Sequence, residues 1–286
     1  MPERPYSFEH FAGLPFYRRL NQEFVDSLNL KPGAVVIDLA CGPGNITRLI
    51  ADKIGPDGVI IAVDLSPVAL QAARKNLAGS PTSVSFVEGK AEDLAELLGE
   101  KTGAVDAVVC GNAIHNFADK AAAVAAVWNL LKAGGTFAMN SAFFDGAIPP
   151  DQGDFYRDWM SGALKGAVRA VRSLGETGSS GNTGDTREDK AEARKQLTPQ
   201  EYRDLLEAVG FQIQSLKVMP IDMPLEGFQA ISEDDEFVRG VIPSRIPLSI
   251  ATLALAEAAA GVFKTKGITV SQRHWLEIIA VKSRRV

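Results

Sequence analysis

At 286 residues, with 46% apolar and 23% charged side chains, the chain has the composition of a globular protein large enough for one sizeable core with insertions. A formal charge of −5 supplies no basic footprint, so nucleic-acid partners are not expected. Two cysteines are too few for a disulfide framework, no Cys/His cluster has metal-ligand spacing, and Glu3, Arg4 and Pro5 do not open a secretory leader; a metal-free, cytoplasmic protein is the expectation.

The first elements are helical. Phe16, Leu20, Phe24 and Leu28 recur every four residues and predict one apolar helical face within residues 6–30. Its plain role is packing.

The apolar run from Ala34 to Ile37 has the length of a buried parallel strand, and Ile46 to Ile54 reads as the helix after it. Between them, Gly42 and Gly44 allow a tight turn and a close approach of ligand to backbone at the carboxyl edge of a sheet. The next apolar run, from Val59, closes on Asp64 about 20 residues beyond that loop, where a carboxylate can accept hydrogen bonds from ribose hydroxyls. A dinucleotide fingerprint would need a third glycine, and Gly42-Pro43-Gly44-Asn45-Ile46-Thr47 lacks it.

Asp38-x-Ala40-Cys41-Gly42-x-Gly44 instead resembles the first motif of class I S-adenosylmethionine (SAM)-dependent methyltransferases. The resemblance continues along the chain. Asp64-Leu65-Ser66 is similar to the end of the family's second strand, with a helix from Pro67 to Leu77 after it. Val84 to Glu88 resembles the third strand, and Gly89 to Leu94 the loop on the adenine side. Val105 to Phe117 resembles the fourth strand and its loop, and Leu130 to Phe137 the turn into the fifth. Thr198 as N-cap, Pro199 at the first helical position and Gly210 as a stop bound a later helix. Phe211 to Val218 supplies a sixth strand and His274 to Lys282 the last.

The resemblance implies an α/β, Rossmann-like fold: a seven-stranded, mostly parallel sheet in the order 3-2-1-4-5-7-6, with helices on both faces and helical cap insertions. The implied organisation is an N-terminal helical cover at 1–30, in which Tyr17, with Tyr6, Phe11 and Phe16, lines the substrate pocket as the alternative to plain packing, a SAM-binding core at 31–145, a helix and loop insertion at 146–196, and a C-terminal part at 197–286 with its own helical insertion at about 220–267.

For the cofactor, the resemblance implies Asp38 near the methionine amino group and backbone contacts from Ala40, Cys41, Gly42, Gly44 and Asn45. It further implies Asp64 on the ribose, Leu65 flanking adenine, and Gly111 and Asn112 beside the methionine moiety. Lys90 stands where the family often has Asp, so Ala91 or Glu92 takes the adenine-side contact. His115, following the carboxyl end of the fourth strand, reads either as the general base or as a hydrogen-bonded structural histidine.

Two insertions are particular to this chain. In the first, Phe155, Trp159, Leu164, Val168 and Val171 follow a helical pattern, and Gly175 to Arg187, with no large apolar residue, reads as a lid or as an inert surface loop. Tyr156 and Trp159, on the helix beside it, are the substrate-binding expectations. In the second, Ile250 to Phe263 is apolar but interrupted by Thr252 and Glu257; a buried helix is expected, with an interfacial or homodimer-forming helix as the alternative and no membrane span. Met219, Met223, Phe228 and Phe237 there favour a small hydrophobic acceptor, such as a quinone-like ring or lipid precursor. The expected function is O- or C-methylation of such a metabolite. The alternative is a SAM-binding module that transfers no methyl, or a SAM-dependent cyclase on the same fold.

Overall fold

The amphipathic segment ahead of the first strand forms α1 (Glu9–Ala12) and α2 (Pro15–Ser27) in the computed structural model, which describes residues 6–173 and 196–283. Leu20, Phe24 and Leu28 are buried on the predicted face, and Tyr17, Asn21 and Val25 widen it, while Phe16 is half-buried. A stripe repeating at three and four residues spreads over more of a helix than one repeating only at four.

Strand and helix then alternate: β1 (Val35–Leu39), α3 (Asn45–Ile54), β2 (Val59–Asp64), α4 (Pro67–Asn76), β3 (Ser83–Glu88), α5 (Leu94–Leu97), β4 (Val105–Gly111), α6 (Lys120–Leu130) and β5 (Leu131–Ser141). After them come α7 (Gly153–Ser173), α8 (Pro199–Val209), β6 (Phe211–Pro224), α9 (Leu225–Ile231), α10 (Asp235–Val241), α11 (Leu248–Lys266) and β7 (Val270–Lys282).

The seven strands form one sheet in the order β3-β2-β1-β4-β5-β7-β6, as the sequence predicts. β1 runs parallel to both β2 and β4, β2 to β3 and β4 to β5, and β7 is antiparallel to β5. The parallel strands are apolar on both faces because both are covered. Ile37, Leu39, Ile61, Val63, Val108 and Phe137 pack on one side with Leu130, Tyr202 and Leu206 from α6 and α8. Their neighbours along the strands, Val36, Ile60, Ala107, Val109 and Ala138, pack on the other with Phe24, Ile46, Ile50 and Ile54 from α2 and α3. The chain winds outward from β1 through β2 to β3, then returns to the opposite side of β1 as β4. The loops after β1 and β4 therefore leave the sheet in opposite directions, which opens a crevice at their carboxyl ends.

Local signals explain the helix boundaries. Thr198 and Glu201 form a reciprocal capping box at α8, with Pro199 at its first turn. The same helix stops at Gly210, whose φ of 112° is left-handed and whose absent Cβ would lie 2.9 Å from the Trp128 ring. Two strands are longer than predicted. β6 continues past Val218 to Pro224, and β7 begins at Val270 rather than His274. Pro220 is compatible with this because β6 is the edge of the sheet, where a missing N–H forfeits no ladder bond.

The described residues divide into two compact units. One comprises residues 17–147, 196–219 and 275–283; the other comprises 6–16, 148–173 and 220–274. The second unit is built on α7 and α11. Gly162 faces Ala258 and Gly166 faces Ala254 between these helices, so they approach closely. Phe155, Tyr156, Trp159, Phe228 and Phe263 form an aromatic core with several edge-to-face pairs, such as Trp159 on Phe228 at 5.0 Å. α11 is longer than the predicted Ile250 to Phe263 and buries one stripe, Ala251, Leu255, Ala259 and Phe263, while Leu253 is 59% exposed. By length and composition alone this helix is apolar enough to cross a membrane.

Candidate active site

The loop after β1 is shaped by backbone. Ala40, Gly42 and Gly44 all have positive φ, at 57°, 54° and 86°. A Cβ on Gly44 would lie 3.0 Å from Leu77 Cδ1 and 3.3 Å from Ala73 Cβ, so conformation and space both call for glycine there. Gly44 also begins α3 without a side-chain cap, so the first turn of that helix directs its amides and positive dipole end to the loop. Asn45 is the first residue of α3, and Cys41, buried, donates its amide to the Val63 carbonyl at 3.0 Å. Burial pushes the Cys41 thiol up, away from thiolate.

Two carboxyl groups flank this loop. Asp64, at the end of β2, accepts the Gly42 amide on one oxygen and the Ser66 amide on the other, each at 2.8 Å. It thereby ties the glycine loop to the second strand, and a carboxylate retains further acceptor positions after two such bonds. Asp38 is 1% exposed and accepts the Thr47 hydroxyl at 2.5 Å. Burial pushes the Asp38 carboxyl up to about 7; the Thr47 bond opposes the shift and the Asp64 charge adds to it. Asp64 is also raised by burial, against its backbone hydrogen bonds.

A second cluster lies at the carboxyl ends of β4 and β5. A Cβ on Gly111 would meet the Cδ1 end of Ile46, which would have to turn aside to admit it. Asn112 has a φ of 50°, and its amide donates to the Asn140 side-chain oxygen at 2.8 Å while its own side-chain oxygen accepts the Ala142 amide at 2.8 Å. The Tyr17 hydroxyl, buried from α2, bonds to Asn21 and Asn112; burial raises it to about 12. Asn21 Oδ1, Asn140 Nδ2 and Trp275 Nε1 are buried without a hydrogen-bond partner in the protein, and the Tyr17 ring meets Trp275 edge to face at 5.9 Å. His115, half-buried, places Nδ1 3.1 Å from Ser141 Oγ and its ring 4.6 Å from that of Phe143.

On the side of β2 and β3, Leu65 is 61% exposed immediately after Asp64, and Ala91 is buried in the turn after β3. Glu92 accepts the Asp119 amide at 3.0 Å, and Lys90 is exposed. The sheet thus gathers Asp38, Ala40 to Asn45, Asp64, Leu65, Gly111, Asn112, His115 and Tyr17 within one unit, at the carboxyl ends of its strands.

Tyr156 and Trp159 belong to the other unit. Trp159 is 2% exposed and donates Nε1 to the Leu255 carbonyl at 2.9 Å, and the Tyr156 hydroxyl donates to the Gln272 carbonyl at 3.4 Å. Both therefore serve the aromatic core there. His10 contacts Glu233 at 3.0 Å, and His274 lies on β7. The expected lid, Gly175 to Arg187, lies outside the described residues. Among the described residues no three His, Cys, Asp or Glu side chains gather as a metal site.

Asn21, Thr47, Asn140 and Ser141 are polar residues of this region that the sequence patterns do not mark. Thr47 lies in the first turn of α3, facing Asp38. Asn140 and Ser141 end an apolar strand, a break in polarity that is the only local signal either carries.

Residues 30–210, more than half of the chain, match the family described as "Methyltransferase domain". The chain belongs to the class I SAM-dependent methyltransferases. The chain is 32% identical over 123 residues to the demethylmenaquinone methyltransferase of Symbiobacterium thermophilum, covering 42% of this chain and 47% of that protein. It is 31% identical over 144 residues to the 2-phytyl-1,4-naphtoquinone methyltransferase of Thermosynechococcus vestitus, covering 46% and 61%. The chain thus spans about half the length of the curated relatives it matches. Its fold is similar to that of phosphoethanolamine N-methyltransferase 2 from Haemonchus contortus in complex with SAM, with a TM-score of 0.55 at 15% identity over 98% of this chain and 56% of that one.

The cofactor of this family is SAM, and the residues fit it. The left-handed backbone from Ala40 to Gly44 leaves a side-chain-poor cradle, the uncapped start of α3 suits an anionic group, and two carboxyl groups beside it suit a cation and a diol.

Proposed function

We propose that this methyltransferase transfers the methyl group of SAM to a hydroxyl or an enolisable carbon of a small, hydrophobic, quinone-like acceptor, with His115 as the general base. The observation that carries the reading is the histidine held beside Asn112 at the carboxyl end of β4, its Nδ1 3.1 Å from Ser141. Relatives named for menaquinone and naphthoquinone methylation support the acceptor class.

In this reading Asp38 receives the methionine ammonium, its carboxylate lies against the loop from Ala40 to Asn45 at the positive end of α3, and Asp64 receives the ribose diol. Leu65 covers one face of the adenine, with Ala91 and Glu92 at its edge. Gly111 and Asn112 contact the methionine chain through backbone. SAM, when bound, supplies a methyl group already activated on a sulfonium. The protein's task is then to hold the acceptor atom about 3 to 3.5 Å away and in line, and to take its proton. His115 takes that proton from a hydroxyl or ring carbon acid and becomes imidazolium. Tyr17 is the acceptor-side aromatic of the same unit.

The test is incubation with methyl-labelled SAM and two acceptors, a demethylated naphthoquinol and a simple phenol. Label in the naphthoquinol product is the expected result, and label in the phenol alone would remove the quinone-like acceptor from the reading. Tight SAM binding with no labelled product from either acceptor or from a hydrophobic metabolite extract would sink the reading in favour of a SAM-binding module or a cyclase.

A further inference from the structure

We propose that Ser141 is a positioning residue that fixes His115 in the tautomer carrying its proton on Nδ1, leaving Nε2 as the basic nitrogen. The inference rests on the reading of His115 as the general base and adds the atom that accepts the proton.

The single proton of one hydroxyl decides the tautomer. Ser141 is the last residue of β5 and is fully buried. Its Oγ has three neighbours: it accepts the Phe143 amide at 3.0 Å, lies 3.1 Å from the Phe143 carbonyl and lies 3.1 Å from His115 Nδ1. A serine hydroxyl has one proton and two acceptor positions. The Phe143 amide uses one acceptor position. If the proton goes to the Phe143 carbonyl, the remaining acceptor position must meet a donor, which makes Nδ1 carry hydrogen. If the proton goes instead to Nδ1, the hydroxyl oxygen faces the Phe143 carbonyl at 3.1 Å with no proton between two acceptors, in a site where burial makes such a mismatch costly. The first arrangement satisfies every contact of the hydroxyl and the second does not.

The geometry around the ring favours a single orientation. His115 sits in the short turn Ile114–Asn116, and its ring leans on Phe143 with planes 35° apart. The residue that binds the serine through both of its backbone polar groups is therefore also the one that packs on the imidazole. Fixing one ring nitrogen by a hydrogen bond defines the role of the other. A proton taken from the acceptor goes to Nε2, and Nδ1–H stays on Ser141 while the ring is cationic, so charge develops on a ring already held by an oxygen acceptor.

The experiment is a long-range proton–nitrogen correlation spectrum of the SAM-bound protein labelled with ¹⁵N-histidine, recorded above the imidazole titration. The chain has three histidines, and the His115 signals are those lost in His115→Gln. The expected result is a protonated-type Nδ1 and an unprotonated-type Nε2 in the wild type, an averaged pattern in Ser141→Ala, and recovery of the single tautomer in Ser141→Thr. A wild-type spectrum with the proton on Nε2, or with averaged nitrogens, overturns the proposal. So does a Ser141→Ala spectrum identical to wild type. Should Ser141→Ala fail to fold, the wild-type and Ser141→Thr spectra decide the question. Full turnover of the naphthoquinol by His115→Gln would remove the general-base reading while leaving the tautomer result to stand or fall by its own spectrum.

Discussion

The Thr47 hydroxyl donates to the Asp38 carboxyl at 2.5 Å inside the sheet's carboxyl edge, and both residues are buried. That single bond is a small offset against desolvation, which holds Asp38 at about 7. The protonated acid is therefore a major form of the ligand-free protein at neutral pH, and the ionised form is the one that a cationic ammonium selects.

SAM affinity should accordingly depend on pH. Below about 7 the ionised fraction of Asp38 falls roughly tenfold per pH unit, and SAM affinity should fall with it, because binding must then release the proton that the ligand-free carboxyl holds. The stability effect has the opposite sign in the ligand-free protein. A carboxyl raised in the folded state contributes stability below its unfolded value of 3.8 that is lost as pH rises through about 7. Thermal stabilisation by SAM should therefore be larger at about pH 8 than at about pH 5.5, and calorimetry in buffers of different ionisation enthalpy should register proton release on binding. Affinity that is flat across this range would remove Asp38 from the ammonium site. Thr47→Val, which removes the opposing hydrogen bond, should move the profile to higher pH.

Asp64→Ala should act twice. It removes the proposed ribose acceptor and also the bonds that tie Gly42 and Ser66 to β2. Each backbone amide left without its charged acceptor costs about 1 to 3 kcal/mol where water cannot replace it. SAM affinity should drop at least about tenfold, and the ligand-free protein should melt earlier. Asp64→Asn, which keeps one acceptor oxygen, should recover part of the stability but less of the affinity. Equal SAM titration curves for wild type and Asp64→Ala would refute the ribose assignment.

Gly44→Ala should destabilise the protein by about 1 to 3 kcal/mol, because the new methyl group is forced both into a left-handed backbone and against Leu77 and Ala73. Denaturant unfolding measures this directly. A change within about 0.5 kcal/mol would mean that the loop relaxes at no cost, and the close-approach argument would fail.

The part of the site legible in the sequence is the part that depends on backbone. A turn that needs φ above zero at Gly42 and Gly44, followed by a helix and then a strand closing on Asp64, leaves its signature in residue types at fixed separations. The strand order followed because the matching segments came in sequence. Contacts made across the sheet leave no such mark. Ser141 meets His115, and Asn140 meets Asn112, only because β4 and β5 are hydrogen-bonded neighbours with Gly111 opposite Asn140. The pairing of Tyr17 with Asn112 likewise depends on where α2 packs. The length of β6 leaves no local mark for a related reason, since Pro220 would end a central strand but not an edge one.

Asn112 offers a way to separate backbone strain from hydrogen bonding. Its left-handed conformation, at a φ of 50°, is tolerated by Asn more readily than by most residues, and its side-chain oxygen accepts the Ala142 amide. Asn112→Ala loses both advantages, whereas Asn112→Gly loses the acceptor but suits the conformation. Both variants should be destabilised by loss of the bond from the Ala142 amide to the Asn112 side chain, and the alanine should be worse than the glycine by about 1 kcal/mol. If unfolding titrations rank the two equally, the conformation carries no strain and the side-chain bond alone accounts for asparagine at this position. If the glycine variant matches wild type, the Ala142 amide has found another acceptor, and the link from β4 to the end of β5 rests on the Asn112 amide and the Asn140 side chain.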